Sequence, residues 1–361
     1  DILLADDPQT AIIKVTLEAP PPPDRRDRPP VNLAIVLDRS GSMAGEKIEK
    51  AKEAAIEALN RLSEKDLFSL VIYDDHVESI VPAQSAGHRD WIISRIREIR
   101  PGGSTALFGG VSQGASEVRK NLSREYVNRI VLLSDGLANV GPSNPSDLAR
   151  LGVALAKEGI SVSTVGVGTD YNEDLMTKLS QNSDGNAYFV EASSDLPRIF
   201  ASELGDVLSV VAQKVILGIE FRDGSRPIRI IGRDGRIDGD RVELNLNQLY
   251  GGQEKYALIE VDVPPTPAEK TREIAVARVS YDSAISNERE TSSGSVTARF
   301  SARKGDVVRS VNEPVQQEVL KNIAAETQDK AVDLWDAGQQ DEALKVMKDK
   351  KSEMEVIIKT Y

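Results

Sequence analysis

The segment NLAIVLDRSGS, residues 32–42, carries the first strand of an α/β unit and the turn that follows it. Asn32–Leu37 is a short, nearly continuous apolar run, without the alternation of a half-exposed strand. Such runs form strands buried on both faces, as in parallel sheets covered by helices. Over Lys47–Leu62, Ile48, Ala51, Ala55, Ile56, Leu59 and Leu62 recur at three- and four-residue spacing, the stripe of a helix packed on a sheet. The alternation continues with strands at Leu67–Tyr73, Arg129–Leu133, Ser161–Val167 and Ala187–Val190, and an antiparallel edge strand near Val77–Val81. Helical patterns cover Arg89–Ile99, Leu107–Asn121, Ser146–Lys157, Asn172–Gln181 and Asp195–Leu208. The expected unit is α/β, a doubly wound, mostly parallel sheet of Rossmann-like type over about 31–207.

On either side the periodicity changes. TAIIKVTL, near residue 13, alternates as a half-buried strand, and the proline-rich run Pro20–Pro30 cannot continue a ladder. From Val210 the period falls to two in VILGIEF (215–221), RVELNL (241–246), YALIEVDV (256–263), IAVARVSY (274–281) and SVTARF (295–300), with turn signals at Asp223-Gly224 and Asp234-Gly235. This predicts an antiparallel β-sandwich over 208–305. The strand in residues 1–30 is expected to join it, so that the α/β unit is inserted in the sandwich rather than only followed by it; pairing with the edge of the α/β sheet is the other possibility. Residues 306–361 read as a helical hairpin broken at Gly338, with Val315, Val319, Ile323, Leu344, Met347, Met354 and Ile357 on apolar faces. AVDLWDAGQQDEALKVM (331–347) resembles one tetratricopeptide unit, but a repeat array needs about three units to bury a core. The hairpin is expected to pack on a neighbouring domain.

A chain of 361 residues exceeds one compact core. With 40 % hydrophobic and 28 % charged residues it has the balance of a folded protein in water. A net charge of −12 excludes a general nucleic-acid surface, which needs clustered Lys and Arg. The absence of cysteine excludes disulfides, thiolate metal sites and thiol catalysis. No run of 18 apolar residues predicts a membrane span, and the start at Asp1 rather than Met gives export to the periplasm or cell surface slight preference over the cytoplasm.

The chemistry gathers at three predicted loops. Asp38-Arg39-Ser40-Gly41-Ser42 ends the first strand, where ligands of open α/β sheets bind; taken alone, Ser42 could simply cap the next helix. Gly102-Gly103-Ser104-Thr105 opens the helix at Leu107, and Ser134-Asp135-Gly136 ends the strand at Leu133. Asp38, Ser40, Ser42, Thr105 and Asp135 together offer two carboxylates and three hydroxyls. This hard-oxygen set suits Mg²⁺ or Mn²⁺ better than Ca²⁺, which usually demands more carboxylates. With few anionic ligands the ion keeps positive charge, and a carboxylate from outside can complete its shell. These residues resemble the metal-ion-dependent adhesion site of von Willebrand factor type A and integrin I domains, a similarity covering about half the chain. The resemblance implies Ser40, Ser42 and Thr105 as direct ligands, Asp38 and Asp135 in support often through water, a protein partner supplying the carboxylate, and no catalysis. The wider layout resembles inter-alpha-trypsin inhibitor heavy chains and bacterial relatives described as calcium-activated chloride channel-like.

Rival motifs fail on spacing. Gly110-Val-Ser112-Gln-Gly114 matches a serine-hydrolase elbow but falls inside a predicted helix, and His76 and His88 both precede Ser112, whereas the triad histidine should follow it. Gly166-Val-Gly168 lacks the third glycine of a dinucleotide fingerprint, its place being taken by Tyr171, and no phosphate-cradling P-loop occurs. A Mg²⁺-dependent hydrolase would want a base or second metal that the sequence does not offer; an assembly factor working with an ATPase is a third class. Asp74 and Asp75 beside His76 form a minor cation-site candidate. Trp91 and Trp335 are expected to anchor packing rather than to recognise a ligand.

Overall fold

The computed structural model describes residues 2–22, 28–123, 125–136, 138–168, 172–336 and 338–360, with the backbone alone described at 247, 329, 333, 336, 353 and 355–360. In chain order the α/β unit comprises β3 (Val31–Asp38), α1 (Glu46–Arg61), β4 (Leu67–Tyr73), β5 (Val77–Ser85), α2 (Arg89–Arg97), α3 (Leu107–Arg119), β6 (Val127–Ser134), α4 (Pro145–Glu158), β7 (Ile160–Val167), α5 (Glu173–Ser183), β8 (Ala187–Val190) and α6 (Leu196–Val207). Before it stand β1 (Ile2–Leu4) and β2 (Gln9–Glu18). After it come β9 (Val210–Phe221), β10 (Arg226–Ile231), β11 (Arg236–Asp238), β12 (Arg241–Tyr250), β13 (Glu254–Val263), β14 (Thr271–Ser283), β15 (Arg289–Ser301), α7 (Lys304–Arg309), α8 (Glu313–Asp336) and α9 (Gln340–Thr360).

The α/β sheet has the order β5-β4-β3-β6-β7-β8, parallel except for the edge strand β5. Every residue of β3 is buried. Its side chains alternate between two cores: Val31, Leu33, Ile35 and Leu37 meet Ile48, Ala51, Ala55 and Leu59 of α1 and Leu204 of α6, while Ala34 and Val36 meet Val111 and Ala115 of α3. That two-sided burial explains the unbroken apolar run. From β3 the chain builds leftward through β4 and β5, then crosses to β6 and builds rightward. The carboxyl ends of β3 and β6 therefore flank the topological switch point, where a crevice opens.

β2 pairs antiparallel with β13 over ten residues, from Gln9↔Val263 to Glu18↔Glu254. The α/β unit is thus inserted between β2 and β9. Two sheets, β1-β15-β14-β9-β12-β11 and β10-β13-β2, enclose a second core containing Ile13, Leu217, Ile219, Leu244, Ile259 and Phe300. β1 adds in parallel beside β15, and β10, β11, β1 and α7 were not anticipated from sequence. The proline-rich run ends by docking under the α/β sheet: Arg28 is buried against Asp66, and Pro30 O accepts from Val127 N at 2.9 Å; residues 23–27 of that run lie outside the described residues. α8 and α9 form the hairpin, turning through Gly338 at φ +77°. Val319 and Ile323 of α8 pack on Ile231 of β10 and Leu258 of β13, with Met354 of α9 alongside. Ile357 is described by its backbone only, and Tyr361 lies outside the described residues. The two tryptophans correct their expected role, since Trp91 is 46 % and Trp335 52 % exposed. No described helix is long and apolar enough to cross a membrane.

Candidate metal centre at the switch point

Each side chain of the predicted oxygen set is delivered by an element end. Asp38 closes β3 and is buried, its Oδ1 accepting from Ser40 N at 2.8 Å and its Oδ2 from Ser134 Oγ at 2.7 Å. A single helical turn, Gly41–Met43, follows and presents Ser40 and Ser42 side by side, their Oγ atoms 3.0 Å apart. Ser42 Oγ donates to Asp135 Oδ1 at 2.7 Å, just beyond the end of β6. Ser40, Ser42 and Asp135 therefore form one continuous hydrogen-bonded chain across the crevice. Ser42 is exposed at its mouth, while Ser40 and Asp135 are buried behind it.

Thr105 comes from the loop before α3. Its backbone is clamped by Asn139, whose Oδ1 accepts from Thr105 N at 2.8 Å, while Thr105 O accepts from Asn139 N and Val140 N. Gly136 lies between the hydroxyls: a Cβ there would fall 3.5 Å from Thr105 Oγ1 and 3.6 Å from Ser42 Oγ. The Thr105 loop is strapped to the serine loop by Gly41 N to Gly103 O at 3.1 Å and by Gly102 N to Arg39 O at 2.7 Å. Gly103, at φ +73°, must be glycine, since a Cβ would stand 2.1 Å from Asp75 Oδ1.

Burial drives the Asp38 carboxyl above its ordinary range, partly offset by the Ser134 and Ser40 donors and reinforced by the nearby Asp135 charge. Beneath it Tyr73, fully buried, is raised well above the usual phenol range by desolvation and then by the Asp38 charge, so it remains a neutral hydroxyl facing Leu133 O at 3.3 Å. Two buried carboxylates converge here against a single basic group, Lys47 at Asp135 Oδ2, so the site retains negative charge that favours a cation. The set also fits in size, because adjacent oxygens of an octahedral ion with bonds of about 2.1 Å lie about 3.0 Å apart, the separation of the Ser40 and Ser42 hydroxyls. Ser134, Asn139 and Lys47, whose Nζ reaches Asp135 Oδ2 at 2.5 Å, belong to the same cluster. Ser134 stood in the quoted triplet beside Asp135; Asn139 and Lys47 carried no sequence signal of their own.

Asp74, Asp75 and His76, in the β4–β5 turn, form a second candidate cluster, with potential ligand atoms within 4.8 Å of one another. Asp74 is already committed: Oδ2 pairs with Arg39 Nε at 3.0 Å and Oδ1 accepts from His76 N at 2.7 Å. His76 is 81 % exposed on its side chain. Ser112 lies in the middle of α3, and the glycines around it serve packing, since a Cβ at Gly110 or Gly114 would press into Tyr73 or Val36. Tyr171 lies outside the described residues.

The family model of the von Willebrand factor type A domain matches residues 32–202. Among curated proteins the chain is 29 % identical over 217 residues to YfbK of Escherichia coli, covering 59 % of this chain and 37 % of that one. It is 27 % identical over 212 residues to human inter-alpha-trypsin inhibitor heavy chain H4, covering 55 % of this chain and 22 % of that one. The chain thus spans well under half the length of these relatives. Among solved structures, a von Willebrand factor type A protein from Catenulispora acidiphila superposes with a TM-score of 0.72 at 16 % identity, over 97 % of this chain and 88 % of that one. The ArnB paralog VWA2 from Sulfolobus acidocaldarius superposes with 0.59 at 19 % identity, over 99 % and 90 %. The family match identifies the inserted α/β unit, over residues 32–202, as a von Willebrand factor type A domain carried between strands of an antiparallel β domain, and the solved structures share this fold over nearly the whole chain.

Proposed function

We propose that the type A domain is a metal-dependent protein-binding module: Asp38, Ser40, Ser42, Thr105 and Asp135 hold Mg²⁺, or Mn²⁺ in its place, and a carboxylate of a partner protein completes the site. The reading rests on one observation above all, the hydrogen-bonded chain Ser40–Ser42–Asp135 that runs from the buried switch point to an exposed hydroxyl. When bound, the ion supplies a positive centre with a coordination position open to an external carboxylate oxygen. The protein's own residues set the geometry. Ser134 and the Ser40 amide fix both oxygens of Asp38, and Asn139 fixes the backbone of Thr105. Neither histidine stands among these groups, which favours binding over catalysis: His76 faces Asp75 at 3.3 Å, and His88 Nδ1 faces Gln84 Oε1 at 3.1 Å.

The test is calorimetric titration of Mg²⁺, Mn²⁺ and Ca²⁺ into metal-free protein and into Asp135→Ala, with thermal melts alongside. We expect Mg²⁺ and Mn²⁺ to bind more tightly than Ca²⁺, the wild type to gain about 2.7 kcal/mol of stability at 100 times Kd, and the variant to lose both effects. Ion binding that survives intact in Asp135→Ala would overturn the assignment.

A further inference from the structure

Lys47 stands in the first turn of α1, where the positive end of the helix disfavours a cation and where its neighbours Glu46 and Glu49 are the expected residues. Its ammonium leaves the helix and meets Asp135 Oδ2 at 2.5 Å. The Asp135 side chain is wholly inaccessible, whereas that of Lys47 is 35 % exposed, so the lysine reaches inward from the rim to a buried carboxylate. The other oxygen of Asp135 is taken by Ser42 Oγ. Gly168, just after β7, lines the path of the ammonium: a Cβ there would lie 3.8 Å from Lys47 Nζ, an ordinary van der Waals contact. Arg39, the other nearby cation, is spent on Asp74.

We propose that Lys47 is a fixed cation of this site, which weakens the hold on the divalent ion and leaves the loaded rim with a net positive charge that selects an anionic partner. The inference rests on the metal-binding reading above. Asp38 and Asp135 bring two negative charges and Lys47 one positive, so a divalent ion leaves the ensemble at one net positive charge; without Lys47 it would be neutral. A carboxylate arriving at the rim then meets an attractive field rather than a balanced one. By holding Oδ2, Lys47 also orients Asp135 so that Oδ1 faces the serines.

The test compares wild type, Lys47→Met and Lys47→Arg by calorimetric titration with Mn²⁺ and by thermal melts in chelator. Removing a like charge from the ion's surroundings should tighten Mn²⁺ binding about tenfold in Lys47→Met, and Lys47→Arg should keep the wild-type affinity. In chelator Lys47→Met should melt below wild type, because buried Asp135 has lost its cation. Acetate, titrated against the water relaxation of protein-bound Mn²⁺, should bind the loaded Lys47→Met more weakly than the loaded wild type. A merely structural lysine would lower the melt and weaken Mn²⁺ binding together, so unchanged or weaker Mn²⁺ affinity in Lys47→Met overturns the proposal while leaving the metal site standing. A wild type that takes no Mn²⁺ removes the metal-binding reading itself, and this proposal with it.

Discussion

Asp66 shows how one carboxylate can seat a linker. Its Oδ1 accepts from Arg28 Nη1 and Val31 N, each at 2.8 Å; its Oδ2 accepts from Arg28 Nη2 at 2.5 Å, Ser63 N at 2.6 Å and Ser63 Oγ at 2.8 Å. Burial by itself would raise its pKa, but Arg28 and the Ser63 and Val31 donors outweigh it and hold the group below the ordinary carboxylate range. Because the folded value is depressed, the stabilisation is present above the unfolded value near 3.8 and is lost as pH falls through the folded one. Asp66→Asn leaves the buried guanidinium unpaired and should cost about 3–5 kcal/mol at neutral pH. Urea unfolding of both proteins from pH 7 to 2.5 checks this: the gap should narrow below pH 4, and a gap independent of pH would refute the account. None of this was legible in the run Pro20–Pro30, where Arg28 looks like any solvated charge. By contrast the placing of Asp38, Ser40, Ser42 and Asp135 on one rim was legible, because strand ends in a parallel sheet are placed by topology, and Thr105 was legible from the Gly-Gly-Ser-Thr turn that opens α3. Lys47 and Asn139 were not, since each depends on how far a side chain or loop reaches across the crevice.

Among the elements, α3 is seated close against the sheet. A Cβ on Gly114 would stand 2.5 Å from Val36 Cγ2, and one on Gly110 would stand 2.7 Å from the Tyr73 ring. Both neighbours are fully buried and held on strands, so they have little room to give. The spacing Gly110-Val-Ser-Gln-Gly114 that imitates a hydrolase motif is therefore a packing groove, and it sets the height of the helix that Thr105 precedes. Gly205 on α6 is the contrast, an exposed helical glycine whose Cβ would meet nothing within 4 Å. We expect Gly205→Ala to gain up to about 1 kcal/mol from helix propensity. Gly114→Ala should lose about 1–2 kcal/mol, overpacking exceeding the same propensity gain. Chemical denaturation of the two variants decides it, and stabilisation by both would mean that α3 is free to shift. The strands of the α/β unit were read within four residues of their observed ends, whereas β9 and β15 begin five and six residues before the alternation read for them. β10 was missed because Pro227 sits beside a bulge in its pairing with β13, and β11 because three exposed residues carry no period.

At the scale of the whole molecule, the inserted domain is fastened to its host by a buried polar brace on the side of the sheet away from the serines. Arg129, inside the apolar run of β6, is fully buried. It donates to Ser163 Oγ at 3.0 Å on β7, and to Gln248 Oε1 at 2.9 Å and Tyr250 OH at 3.0 Å on β12 of the β domain. Glu203 of α6, also fully buried, lies 3.5 Å from the guanidinium and accepts from Ser163 Oγ, Asn186 Nδ2 and Tyr188 OH. Gln248 Nε2 closes the network onto Ser161 Oγ at 2.7 Å. Burial would lower the Arg129 pKa, yet Tyr250 and Glu203 raise it overall, so the guanidinium stays charged. One pair thus ties the last helix of the type A domain, its central sheet and the β domain together. Arg129→Met and Glu203→Leu should each cost about 3–5 kcal/mol, because each leaves the other charge buried without its partner. The double variant leaves no orphaned charge and should cost less than the sum of the two, by about 2 kcal/mol or more. A double-mutant cycle by urea unfolding measures this directly, and simple additivity would mean that Arg129 is held by Gln248 and Tyr250 alone, with α6 free to move independently of the β domain.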